Sequence, residues 1–342
     1  MKLVPYEPKW NDAVCGIDAS AAQALNHNGD VFLNTAVCAV SEDEETFYGF
    51  GYISRGTLNY GVFSVFAEIG VAFMLADSVI ASVMILDQLK ISLEEVKKEL
   101  PYEKVYLTFW SDEERVEYNE FLMEEGFVRY RTMEALRRDL EKTVIVPDKA
   151  ADSRKTGSTG LSEAADIARD PEKARNAGVT GIHIGKKHPI TLPDGTVSEA
   201  VLSWLDISDD EERARYLLAN KKGFGDQNSE AGLLFRTAFW KARVLAWVRE
   251  DPVKGREVLS AVTLWPRRQR RAATEDIFCI PEYRRQHLTE ELLDEAAGYL
   301  KEEGFRYAEM NAFSNNTEAL ALYKKTGYEV TGTLWEFVYK GE

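Results

Sequence analysis

The sequence predicts an α/β protein of two domains in tandem, each a mixed, largely antiparallel central sheet flanked by helices. Three observations predict it. The chain is 342 residues long, and soluble domains run to ~100–200 residues each, so two are expected. One order of elements occurs twice: β-rich runs, a long helix, a strand, a short helix ending in Gly-aromatic, and a last strand. YLTFWSDEERVEYNEFLMEEGF, within 104–127, sets against AEMNAFSNNTEALALYKKTGY, within 307–328, which reads as an internal duplication. Between the copies the composition shifts to Lys, Asp, Ser, Thr, Gly and Ala around SRKTGSTG, as in a linker. The expected divisions are 1–140, a linker over 141–180 with one weak helix at 162–176, and 181–342.

Each element follows from local pattern. Lys2 to Tyr6 suits a short strand, and Pro8 to Leu25 a helix or helix plus turn. Val31 to Val40, Thr46 to Ser54 and Tyr60 to Ile69 are rich in Val, Phe, Tyr and Ile, with SEDEE and RGTLN as turns. A helix is expected from Asp77 to Leu100, stopped by Pro101. A strand at Lys104–Trp110, a helix at Glu113–Glu125 closed by Gly126, and one or two strands over Phe127–Leu140 complete the first copy. In the second, PDG within Ile190–Val201 signals a hairpin, Asp209–Lys222 is helical, and FGDQN is loop. Strands follow at Arg243–Arg249, Val258–Trp265 and Thr274–Ile280. The chain then alternates: helix Leu288–Glu303, strand Tyr307–Phe313, helix Thr317–Lys325, strand Glu329–Tyr339.

Composition narrows the function classes. The formal net charge of −15 argues against general nucleic-acid binding. The run Arg267, Arg268, Arg270, Arg271 reads as a solvated hairpin turn, with an anion or RNA contact as the alternative. Cys15, Cys38 and Cys279 are too scattered for a disulfide framework. The four histidines form no i,i+4 pair, so no metal is expected. No apolar run approaches the ~20 residues of a membrane span. MKLVPYEPKW lacks a signal peptide's apolar centre, and a cytoplasmic location is the expectation.

The stretch with chemistry in it is Ile277–Tyr328. There a β-rich run meets PEYRRQHLT, and a helix starts near His287 or Leu288. Free N–H groups and the dipole at a helix start favour an anion, and Arg284 and Arg285 add charge. An ordinary strand-to-helix connection is the plain alternative. Downstream, Asn316, Ala319, Leu322, Tyr323, Gly327 and Tyr328 satisfy N-x-x-A-x-x-L/F-Y-x-x-x-G-F/Y.

With the Arg-rich turn, that pattern resembles the GNAT superfamily of acyl-CoA-dependent N-acetyltransferases. The resemblance covers about 240–340 well and 1–140 more weakly, as in tandem-GNAT proteins. It implies acetyl-CoA as co-substrate and a primary amine, a small-molecule amine first, as acceptor; composition argues against a metal, a membrane span and nucleic acid, and a homo-oligomer stays open. The family's loop is R/Q-x-x-G-x-G/A. Arg284 keeps its first position, whereas His287 and Thr289 replace the two small residues. The first copy has no such loop near Ile69–Asp77 and is expected to have lost acyl-CoA binding, serving packing, substrate shaping or dimerisation.

The resemblance also distributes roles. Backbone groups of Phe278, Cys279 and Ile280 would hold the pantetheine arm, with Arg284 at the loop's start. The N–H groups of Arg285, Gln286, His287, Leu288 and Thr289 would take the diphosphate, and Asn316 would touch the cofactor arm. Tyr323 would protonate the leaving thiolate. A base is needed at the acceptor amine. Glu275 and Asp276 precede the loop, and because neighbouring strand residues face opposite ways, one is expected to reach the site; Glu275 is preferred. Cys279 reads as a packing cysteine. The rival reading is a catalytically degenerate tandem GNAT used for ligand binding or assembly.

Overall fold

The computed structural model describes residues 1–142 apart from 60, 73, 74 and 76, and residues 184–341 apart from 225–228 and 252–254. The expected linker and its helix at 162–176 lie outside the described residues, as does most of FGDQN.

The first half runs β1 (Lys2–Pro5), α1 (Asn11–Ile17), α2 (Ala19–His27), β2 (Val31–Val40), β3 (Phe47–Asn59), β4 (Val62–Val71), α3 (Ser78–Glu99), β5 (Val105–Asp112), α4 (Val116–Glu124) and β6 (Val128–Asp139). The second begins with the hairpin β7 (Lys187–Thr191) and β8 (Val197–Leu205), followed by α5 (Asp210–Phe224) and α6 (Glu230–Phe239). It continues β9 (Arg243–Asp251), β10 (Gly255–Arg267), β11 (Arg271–Cys279), α7 (Leu288–Glu302), β12 (Tyr307–Phe313), α8 (Thr317–Lys325) and β13 (Glu329–Tyr339). From β8 onward the order repeats that of the first half. The local chemistry repeats too. Gly126 and Gly327 both sit at φ 85. At each the next N–H reaches back, Phe127 to Leu122 and Tyr328 to Tyr323, the left-handed helix stop that glycine makes without a steric penalty.

The thirteen strands of the described residues form one sheet, ordered β1-β2-β3-β4-β5-β13-β6-β12-β11-β10-β9-β8-β7. The halves exchange their last strands: β13 pairs with β5, β6 pairs with β12, and the two lie antiparallel in the middle. The exchange reaches the cores. Leu136 of β6 is buried among Leu259, Leu293 and Met310 of the second half's core, and Phe337 of β13 belongs to the core of Phe63, Leu89 and Phe109 in the first. Each such side chain contributes about 1.5–3 kcal/mol on burial, so each half takes part of its stability from the other.

Helix α6 was not expected from the sequence, and it too crosses between halves. Phe235 sits in the first half's cluster with Leu25, Val31 and Phe50, and Phe239 stacks on His27 at 4.6 Å. Ser229 caps the helix at Gly232 N–H and donates to Asp30 at 2.5 Å.

The sheet opens twice. Strands β11 and β12 run parallel, but their pairing stops at Ala273–Glu309 although both continue; β4 and β5 stop at Phe66–Thr108. The β11 opening positions the site.

Candidate active site

Strand β11 is distorted where it leaves β12. Its register against β10 shifts between Ala261–Phe278 and Thr263–Glu275, and Asp276 takes φ 50. This is a β-bulge, and it changes one sequence expectation. Glu275 and Asp276 do not face opposite ways: both line one cavity of about 480 Å³, because the extra residue breaks the strand's alternation. Glu275 pairs with Arg267 at 2.6 Å and Asp276 with Arg236 at 3.0 Å. Burial raises the Glu275 carboxyl above the usual carboxylate range; Arg267 opposes the shift and Asp276 adds to it.

A second cavity, about 490 Å³, follows β11 into the helix start. Of the residues expected to hold an acyl carrier, it is lined by Phe278, Cys279, Arg284, Arg285, His287, Leu288, Thr289 and Asn316. Among the described residues, none of the N–H groups from Arg285 to Glu290 has a backbone or side-chain acceptor, and the helix ladder begins with Glu291 N–H to His287 O at 3.1 Å. These free donors lie at the positive end of a 15-residue helix, an arrangement suited to a phosphate or diphosphate.

The loop is bent by two left-handed residues, Arg285 at φ 66 and His287 at φ 61. His287 stands where the family pattern has glycine, and the backbone keeps the glycine conformation. Its Nδ1 lies 3.1 Å from Glu290. Glu290 also pairs with Lys325 at 2.7 Å; Lys325 foremost, helped by His287, holds its carboxyl below the usual range against the opposing effect of burial. Arg284 donates to Cys279 O and Gly223 O, each at 3.3 Å, and braces the loop against α5. Burial pushes the Cys279 thiol up to about 11, which suits the packing role expected of it.

Two residues are not brought into this groove. The Ile280 N–H is engaged by Leu259 O at 2.9 Å. Gln286 turns outward to the β7 hairpin: its side chain bonds both the N–H and the carbonyl of Thr191, at 2.8 and 3.0 Å, and its own carbonyl meets His188 Nε2 at 2.8 Å. The hairpin therefore clamps the loop from outside. No local signal linked Gln286 to Thr191, which lie far apart in sequence.

Tyr323 joins the two cavities and lines both, as do Phe224, Ile277 and Asn316. It is 8% exposed, its ring meets Tyr328 edge-on at 6.3 Å, and burial keeps its hydroxyl protonated far above neutral pH. Asn316 caps α8 by accepting the Ala319 N–H at 3.2 Å. The cavity holding Glu275 is also lined by Thr57, Phe66, Trp110 and Met133 of the first half. Sequence reasoning assigned none of these four to the site, because only the exchanged-strand sheet brings them to β11. The basic run 267–271 is not a free patch: Arg267 and Arg271 approach Glu309 at 3.6 Å, and Arg270 approaches Glu141 at 3.8 Å.

Residues 202–328 match the model of the acetyltransferase (GNAT) family. No curated protein matches the chain in sequence. Among solved structures, it resembles a GCN5-related N-acetyltransferase from Sphaerobacter thermophilus, with 13% identity and a TM-score of 0.55, over 99% of this chain and 95% of that one. It also resembles a tandem GNAT protein from the clavulanic acid biosynthesis pathway, with 10% identity and a TM-score of 0.57, over 100% and 98% of the two chains. At these identities the likeness is one of fold. No helix among the described residues is long and apolar enough to cross a membrane.

Proposed function

We propose that this chain, a GNAT-superfamily protein with an acetyltransferase domain over 202–328 and the fold of tandem-GNAT proteins, transfers an acetyl group from acetyl-CoA to a primary amine in its second half. The observation that carries this reading is the meeting of two cavities at Tyr323. One has unengaged N–H donors and Arg284 and Arg285 for a diphosphate; the other has the raised carboxyl of Glu275. The residues fit acetyl-CoA: the N–H groups of Arg285 and His287 to Thr289 would take the diphosphate, and the open edge of β11 at Phe278 and Cys279 would take the pantetheine arm.

The transfer is direct. Glu275 accepts a proton from the incoming ammonium, freeing the nitrogen lone pair. That nitrogen attacks the thioester carbonyl carbon, forming C–N; the C–S bond then breaks. The sulfur leaves as thiolate and takes the Tyr323 hydroxyl proton; the nitrogen's surplus proton passes to the Tyr323 phenolate, and Glu275 releases its proton to solvent. The balance is ammonium plus acetyl-CoA to amide, coenzyme A thiol and one proton. A phenol held protonated by burial is matched to the acid step. Calorimetric titration with acetyl-CoA, followed by thiol release over an amine panel, tests the reading. No binding at millimolar acetyl-CoA would sink it.

A further inference from the structure

The acceptor cavity has a composition that reaches beyond amine transfer as such. One side of its wall is aromatic and apolar: Phe66, Trp110 and Met133 from the first half, Phe224 and Phe313 from the second, and Leu334 from the exchanged strand; the Glu275 and Asp276 side is polar. The rings are held in place. Trp110 and Phe313 lie 6.2 Å apart at 50°. The Arg131 guanidinium sits 4.5 Å over Phe313 and is itself held by Glu336, which is fully buried and accepts from Ser64 at 3.2 Å. Rigid, preset rings bind a flat apolar body with little ordering cost.

Among the described residues lining this cavity, the only charged ones are Glu275 and Asp276, and none is Lys, Arg or His. Arg267 and Arg236 pair with the two carboxylates but are not among the lining residues. An acceptor bearing its own carboxylate or phosphate would bring an anion to two carboxylates without a cation to meet it, which is strongly unfavourable out of water. A polycationic chain would leave its remote ammonium groups among rings.

Resting on the acetyl-transfer reading of this same site, we propose that the acceptor is a primary amine with a flat apolar body and no acidic group, an arylalkylamine in chemical class. We propose further that the first half determines this specificity through Trp110 and Phe66. The amine enters toward Glu275 and Asp276 at the Tyr323 end, and the ring packs between Trp110, Phe66 and Phe313. The half without an acyl-carrier loop thus supplies one wall of the acceptor site.

The test uses the full chain with acetyl-CoA and five probes: phenethylamine, tryptamine, phenylalanine, spermidine and glucosamine. Phenethylamine and tryptamine should exceed the others in kcat/KM by at least about 100-fold. Trp110→Ala should raise KM for phenethylamine about tenfold or more while leaving acetyl-CoA affinity unchanged; Phe66→Leu gives a second reading should the first variant misfold. Equal use of phenylalanine or spermidine, or an unmoved KM in both variants, overturns the proposal and leaves acetyl transfer standing. Calorimetry of phenethylamine on the coenzyme A complex reads the pocket without chemistry. Binding lost in Trp110→Ala but without turnover supports the pocket assignment and overturns transfer. Neither binding nor turnover overturns both.

Discussion

Met133 of β6 and Leu334 of β13 stand directly opposite each other in the central strand pair, and they occupy equivalent positions in the two copies. Met133 is seven residues past Gly126, and Leu334 seven past Gly327. The register thus relates the two copies by an approximate local two-fold at this pair, and the cavity holding Glu275 and Asp276, which both residues line, lies beside it. The exchanged strands are what bring first-half rings within reach of second-half chemistry.

The exchange predicts that the halves stay together without a covalent link. A chain cut between Lys142 and Ile184 should elute as one species of unchanged size and separate only in denaturant. Elution as two folded halves in plain buffer would contradict the mutual core insertion of Leu136 and Phe337.

Within that seam, Arg131 and Glu336 form a buried bidentate pair, with Arg131 Nη2 to Glu336 at 2.8 Å. Removing one partner strands a buried charge, at a cost of about 3–5 kcal/mol. Arg131→Ala should lose stability of that order in urea denaturation. It should also loosen Phe313, which the guanidinium covers.

Tyr323→Phe should lower kcat by about 10²-fold or more, the range of general acid–base catalysis. Acetyl-CoA affinity from calorimetry should hold, because the ring is retained. A kcat within a factor of about two of the parent would remove Tyr323 from the acid role.

The pH dependence follows from Glu275. Its carboxyl is raised by burial and acts as base only when ionised, so kcat/KM should fall as pH drops through a value above the ordinary carboxylate range. Glu275→Gln should abolish that acidic limb. Stability runs the other way: a raised folded pKa contributes stability at low pH that is lost as pH rises through the folded value. Glu275→Gln should therefore melt closer to the parent at low pH and gain on it toward neutral, as parallel thermal melts would record.

His287 holds a left-handed backbone, φ 61, that a side chain disfavours by about 1–2 kcal/mol. Glycine relieves that strain but adds about 0.5–1 kcal/mol of unfolded-state entropy. His287→Gly should thus gain about 1 kcal/mol net in thermal unfolding, while His287→Ala, which keeps the β-carbon, should not. A destabilised glycine variant would show that the Glu290 contact outweighs the strain.

The sequence by itself determined most of the elements and the local chemistry, although RGTLN, expected as a turn, continues strand β3. Strand and helix follow from patterns a few residues wide, so β12, α8 and β13 coincide with the expected Tyr307–Phe313, Thr317–Lys325 and Glu329–Tyr339. Asn316 to Tyr328 carried the family pattern, and the duplication was readable from its glycine-aromatic stops. Helix α6 escaped because its apolar face, Phe235 and Phe239, is directed at a distant half. Only the tertiary structure decided that two sheets fuse into one with exchanged last strands, that a bulge turns both Glu275 and Asp276 into one cavity, and that Gln286 faces a hairpin instead of the groove. Each depends on pairing between segments about a hundred residues or more apart or on backbone geometry beyond strand alternation. Propensity and spacing carry no record of either, because a strand with an apolar face can complete any sheet of matching edge and register.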